Sequence, residues 1–181
     1  MGAEDFDRLW AVHEIRQLAY RYAFAQDSRD MELLLSLWAE TNEPAEPPVI
    51  DIHAVRKNAE RWFSKGATIH FVGNHIVELA GPGEASGSVY CWAALDFGEE
   101  FVDQLILYQD RYVHRDGRWL FLDRRHLLWY GAERERNPMR QDPAGWPHGY
   151  TGRGPLPDEL PSYRAWRERE GRPRGRDDAT N

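Results

Sequence analysis

Residues 101–130 read FVDQLILYQDRYVHRDGRWLFLDRRHLLWY. Two runs rich in β-branched and aromatic residues, Phe101 to Arg115 and Arg118 to Tyr130, flank Asp116-Gly117. Glycine accepts the positive φ that a two-residue turn demands, so the stretch predicts a long antiparallel hairpin. The same alternation extends upstream. Thr68 to Leu79 and Ala85 to Phe97 read as two further strands, joined at Gly81-Pro82-Gly83, and Gly98-Glu99-Glu100 turns the chain into Phe101. In the second of these, Val89, Cys91, Ala93 and Leu95 alternate with Tyr90, Trp92 and Ala94. The result is a four-strand meander whose strands are long for their type. Long strands in a twisted sheet curl, and the concave side must be covered.

The cover is expected from the N-terminal part. From Asp5 to Gln26, Leu9, Val12, Ile15, Leu18, Ala19 and Tyr22 recur at helical spacing, with Asp5 or Asp7 as candidate cap. Asp30 can cap a second, shorter helix burying Leu33, Leu34, Leu37 and Trp38. Asn42 to Pro48 reads as a loop, and Val49-Ile50 as a possible short extra strand. Asp51 can cap a third helix that runs to about Ser64 and ends at Gly66. The expected class is α+β: about three helices on the concave side of a curved antiparallel sheet (a cone or half-barrel), enclosing a pocket across residues 1–130. Beyond residue 130 the composition turns to Pro, Gly and Arg. Residues 131–168 predict an extended arm lying over the domain or a neighbouring subunit, and 169–181 a disordered tail.

Composition narrows the function. The chain has 181 residues with eight Trp and eight Tyr, enough to fill a core and to line a pocket for a flat or apolar ligand. With a net charge of -7 and late arginines interleaved with acids, no nucleic-acid partner is expected. Cys91 is the lone cysteine, the first residues lack a signal-like apolar run, and no apolar stretch is long enough to span a bilayer. These features predict a cytoplasmic protein that engages no membrane.

Three groups of residues could do chemistry. His70 lies inside the apolar strand Thr68-Ile69-His70-Phe71-Val72-Gly73-Asn74. Alternation puts it on one face with Val72 and Asn74 unless Gly73 marks a bulge. Asp27 follows the stripe of the first helix. A carboxylate against one imidazole nitrogen fixes the tautomer and leaves the other nitrogen as a general base. Each residue alone is as readily a core histidine or a capping aspartate. In the last strand Arg124 and Arg125 adjoin apolar positions. One of them could serve a leaving group or oxyanion, or both could pair with Asp110 or Asp123. Alternation sets Trp119, Phe121, Asp123 and Arg125 on one face and Leu120, Leu122, Arg124 and His126 on the other. Asn74, Tyr90, Trp92, Tyr108 and Arg125 complete the candidate ligand-binding set. No Walker loop, dinucleotide glycine fingerprint, nucleophile elbow or Cys/His metal spacing occurs, so no cofactor and no metal are expected. His70 and His75 lack a third ligand nearby in sequence, and His53 reads as surface or interface.

Taken together, Tyr22-Ala23-Phe24-Ala25-Gln26-Asp27, the His70 strand and the Tyr108-to-Arg125 hairpin resemble the SnoaL-like branch of the superfamily named after nuclear transport factor 2. That superfamily includes scytalone dehydratase, hexachlorocyclohexane dehydrochlorinase and a bile-acid dehydratase. The resemblance covers residues 5–130 and implies an Asp27–His70 base, help from Tyr22 five residues before the aspartate, and an arginine for the leaving group, Arg124 before Arg125. It implies a lyase of the dehydratase type acting on an apolar or aromatic, steroid-like ring compound. An isomerase or cyclase using the same pair, or a non-catalytic ligand-binding or scaffolding protein, remains an alternative. A homodimer or homotrimer is the implied assembly.

Overall fold

The computed structural model describes residues 2–40, 51–64, 67–97, 100–135, 141–155, 158–159, 161, 164 and 168. The expected loop at Asn42 to Pro48, the strand at Val49-Ile50, Gly66, the turn residues Gly98 and Glu99, and the tail 169–181 lie outside them. Three helices precede the sheet: α1 Ala3–Ser28, α2 Met31–Ser36 and α3 Ile52–Phe63. Gly2, rather than Asp5 or Asp7, is the cap of α1, and Asp5 instead accepts the Gly2 N–H at 3.1 Å. Helix α1 runs two residues past Gln26, which places Asp27 in its last turn. Asp30 and Asp51 cap α2 and α3 as expected, accepting from Leu33 N and His53 N, each at 2.9 Å. Such a cap contributes about 1 kcal/mol by satisfying a donor that the helix cannot.

Strands β1 Thr68–Gly81, β2 Glu84–Asp96, β3 Phe101–Arg115 and β4 Arg118–Glu133 form an antiparallel meander, and β5 Gly152–Arg153 adds a fifth strand beside β4. The sheet is curved and unclosed. The β3–β4 turn has φ of 51° at Asp116 and 76° at Gly117, the doubly positive turn that matches strand twist. Four register shifts interrupt the ladders, and two of them set the faces near the site. Val72 pairs with Cys91 but His75 with Val89, so Gly73 and Asn74 bulge and His75, not Asn74, turns inward. On β4, Arg111 pairs with Asp123 and Tyr112 with Phe121, leaving Leu122 extra. The strict alternation expected for β4 is therefore corrected, since Phe121 and Arg124 both point inward.

Helix α1 packs on β1 and β4. One end of the core joins Ile15 and Leu18 to Leu37, Trp38, Tyr112 and Phe121. The other sets Ala19 against Val89, Cys91, Ile106, Tyr108 and Leu128. Val89, Cys91 and Ala93 of β2 turn toward Ala19 of the helix. The change of composition after residue 130 does not end the sheet: β4 continues to Glu133, and Gly152 pairs back onto Gly131. A Cβ at Gly131 would overlap the Tyr150 carbonyl, so glycine is what lets the segment 141–155 lie against β4. Gly131→Val is expected to unseat that segment at a cost of roughly 1–3 kcal/mol. Trypsin should then cut at Arg153 well before it cuts the parent protein, and equal cleavage rates would refute this.

Candidate active site

The end of α1 and the start of β1 meet at a carboxylate and an imidazole. Asp27 Oδ1 accepts from His70 Nδ1 at 2.7 Å, and Oδ2 accepts the His70 backbone N–H at 2.8 Å. The Thr68 hydroxyl donates to Asp27 Oδ1 at 3.0 Å, and Arg29 Nη1 donates to Thr68 Oγ1 at 2.8 Å. Burial pushes the Asp27 carboxyl up, but the bonds from the His70 ring and backbone, its charge and Thr68 more than offset that, and the carboxyl ends below its ordinary range. A carboxylate so held accepts Nδ1–H, which leaves Nε2 as the basic nitrogen.

His70 lines a cleft of about 520 Å³, solvent at its mouth included, between α1, α3 and the sheet. Tyr22 and Tyr108 share this lining. The Gln26 amide donates to the Tyr22 hydroxyl at 3.1 Å, which leaves the phenol proton to be given away. Burial raises the Tyr22 pKa, partly opposed by Arg124, so the phenol stays protonated near neutrality.

Arg124 stands one layer behind. Its guanidinium grips Asp110 through Nε at 2.8 Å and Nη2 at 2.7 Å, and both side chains are almost wholly buried, 4% and 0% exposed. Rings cover it: Tyr108 at 4.1 Å, Tyr22 at 4.3 Å and Phe121 at 4.4 Å. It does not line the main cleft but touches the narrow space behind His70 and Tyr22. Burial works against its charge, and the Asp110 carboxylate outweighs that and holds it cationic.

Four expected ligand-binding residues are corrected. Asn74 sits on the β1 bulge, exposed. Trp92 is 49% exposed, and Tyr90 stacks on Trp129 beside Leu107 and Leu127. Both follow the outward parity of β2, while Val89, Cys91, Ala93 and Leu95 face α1. Arg125 points out and pairs with Glu159 at 2.9 Å. Tyr108 is inside, and His53 is exposed. Among the described residues no cluster of three His, Cys, Asp or Glu could hold a metal, and no helix is long and apolar enough to cross a membrane.

The cleft also takes in residues not anticipated: Gln104 and His126 from the sheet, Trp62 from α3 and Trp146 from the segment after β4. Gln104 shares the parity of Tyr108, and His126 that of Arg124, so alternation held the signal for both. Trp146 had no such signal, since its surroundings carry no period. Burial pushes the His126 pKa from 6.5 to about 3, helped by nearby His70 and Arg124. Burial likewise pushes His75 to about 4, with Arg124 and Arg16 helping and Asp110 opposing. Both histidines are therefore neutral in the fold above about pH 4, whereas the unfolded chain protonates them below about 6.5. Stability is full above pH 6.5 and is lost as pH falls from there toward about 4, where His75 also charges in the fold. Each group adds a slope of about 1.4 kcal/mol per pH unit. Urea midpoints measured from pH 7.5 to 4.5 should fall accordingly, and His75→Phe should flatten the slope. A parent protein with a flat profile would contradict this.

A family model described as a SnoaL-like domain matches residues 7–125. The fold is similar to a scytalone dehydratase-like protein from Novosphingobium aromaticivorans (19% identity, TM-score 0.62, covering 72% of this chain and 92% of that one). It is similar also to a hexachlorocyclohexane dehydrochlorinase from Novosphingobium barchaimii (20% identity, TM-score 0.63, 71% and 93%). A third likeness is a protein of unknown function from Mycobacterium tuberculosis (21% identity, TM-score 0.60, 71% and 76%). At these identities the likeness speaks for the fold. No curated protein matches the sequence.

Proposed function

This chain belongs to the SnoaL-like domain family, and on that premise we propose that it is a cofactor-independent lyase acting on a mostly apolar ring compound. The observation that carries this reading is the 2.7 Å bond between Asp27 and His70 on the wall of the cleft. His70 Nε2 takes a proton from a carbon next to an activating group, and Asp27 stabilises the imidazolium that forms. The C–H electrons form the new double bond as the leaving group departs. Tyr22 gives its proton to departing hydroxide, which leaves as water, and the Arg124 guanidinium behind the ring eases the phenolate. The proton on His70 and the phenolate of Tyr22 neutralise through solvent, which resets the site. Arg124 thus acts through Tyr22 as a positioning residue.

Ile69, Phe71 and Ile76 on β1 are more than 60% exposed. That apolar strip is the surface a homodimer or homotrimer would cover. To test the reaction, the purified protein is incubated with hydroxylated and halogenated ring compounds and the products are weighed by mass spectrometry. Loss of water or of hydrogen halide supports elimination. A rearranged product of unchanged mass would assign isomerisation to the same base, and tight binding without turnover would make the protein a ligand carrier.

A further inference from the structure

Gln104 lies on the inner face of β3 between Val102 and Ile106 and is only 2% exposed, yet its Nε2 has no hydrogen-bond partner among the described residues. His126 Nε2, on neighbouring β4, is buried and equally without a partner. Both side chains line the cleft that holds His70. Leu95, Ile106, Trp62 and Trp146 supply the apolar part of the same lining. The Trp146 ring lies 4.7 Å from the His126 ring and 6.0 Å from that of Trp62.

Buried polar groups normally find partners, and a lone one weakens the fold. Leucine would fill the place of Gln104, and phenylalanine would keep the tilted ring contact of His126 with Tyr108, without that cost. Two such groups on adjacent strands, facing one cleft that also contains a base, are what a ligand-recognition site requires. We propose that Gln104 and His126 form a second polar pole of the cleft, which hydrogen-bonds a carbonyl or hydroxyl oxygen of the ligand. The pocket then takes oxygenated ring compounds in preference to hydrocarbons of the same skeleton.

The pole is neutral. Gln104 carries no charge and His126 remains unprotonated, while the cation of the cleft, Arg29, is engaged by Thr68 and the Gln26 carbonyl. An uncharged oxygen suits it better than a carboxylate. A carbonyl or hydroxyl oxygen accepts from the Gln104 amide, and a hydroxyl can give its proton to the His126 imidazole. This inference rests on reading the cleft as the ligand site and deepens it by naming the ligand's chemistry.

The test uses matched pairs, 1-tetralone against tetralin and 2-naphthol against naphthalene, with dissociation constants from ligand-observed NMR. The parent protein should prefer the oxygenated member by about 10-fold, the upper end of what one net hydrogen bond contributes. In Gln104→Leu and His126→Phe the preference should shrink to within about 3-fold, the hydrocarbon binding as well as before or better. Both variants should melt at the same temperature as the parent or higher, which loss of a merely structural bond would not produce. Gln104→Met serves where the leucine variant fails to fold. A preference that persists in both variants, or no preference in either pair for the parent, overturns the proposal. Asp27→Asn separates the two readings, because it should lower turnover by roughly 10²–10⁴-fold and leave the binding ratio intact. A collapsing ratio in a protein that turns nothing over keeps the oxygen pole and sinks the lyase. Turnover that needs Asp27 beside a flat ratio does the reverse.

Discussion

His70→Ala and Asp27→Asn are each expected to lower turnover by roughly 10²–10⁴-fold, the span that a positioned general base supplies. The two variants fail for different reasons. Alanine removes the base. Asparagine keeps the shape but turns an anion into an amide, which can no longer favour the Nδ1–H tautomer or stabilise the imidazolium. Their effects should therefore not add, and the double variant should be about as slow as either single one. Folding is a separate matter, checked by circular dichroism and urea unfolding at pH 7. Asp27 in the fold has a carboxyl below its unfolded value. Its contribution to stability is then full above the ordinary carboxylate range and is lost as pH falls through the lowered value. Asp27→Asn should remove that acid-sensitive share. Activity within a few-fold of the parent in either variant would sink the mechanism, because among the described residues no other imidazole of the cleft has a carboxylate partner.

The architecture was legible where local rules and the global fold agree. Asp116-Gly117 could hardly be anything but a tight turn, and Asp30 and Asp51 announced their helices. Asp27 and His70 stood out as a polar residue at the end of an apolar stripe and an imidazole inside an apolar strand. Their contact was not visible, since 43 residues separate them and only the packing of α1 across β1 closes that distance. Side-chain direction failed where the chain holds an extra residue. The bulge at Gly73 and Asn74 exchanged Asn74 for His75, and the one at Leu122 brought Phe121 and Arg124 to the same side. A slip of one residue turns a whole strand over. Tyr90 and Trp92 misled for another reason. Both faces of β2 are apolar, and size alone favoured the aromatic face for the pocket. The face turned to Ala19 of α1 is instead that of Val89, Cys91, Ala93 and Leu95.

The buried pair behind Tyr22 carries the second large effect. Asp110→Leu should destabilise the protein by about 3–5 kcal/mol, because it leaves the Arg124 guanidinium charged in a place that water cannot reach. It strips two bonds from Arg124 and one more from the Tyr112 hydroxyl, which donates to Asp110 at 2.7 Å and faces His75 Nε2 at 3.1 Å. At this chain length the loss corresponds to a fall of roughly 10–15 °C in Tm. Replacing both partners by apolar residues, Asp110→Leu with Arg124→Met, should recover most of it, since the cost lies in the unpaired charge and not in the missing attraction. A urea-unfolding cycle over the four proteins measures this directly. A single Asp110→Leu variant that loses less than about 1 kcal/mol would show that the arginine finds water or another partner, and the buried-charge account would fall. If the double variant regains stability yet eliminates poorly, with a fall in kcat and an unchanged KM, the pair is retained for what its cation does to Tyr22 during departure of the leaving group. Stability alone would not require an ion pair there, because leucine and methionine would pack as well against Phe121 and Tyr108.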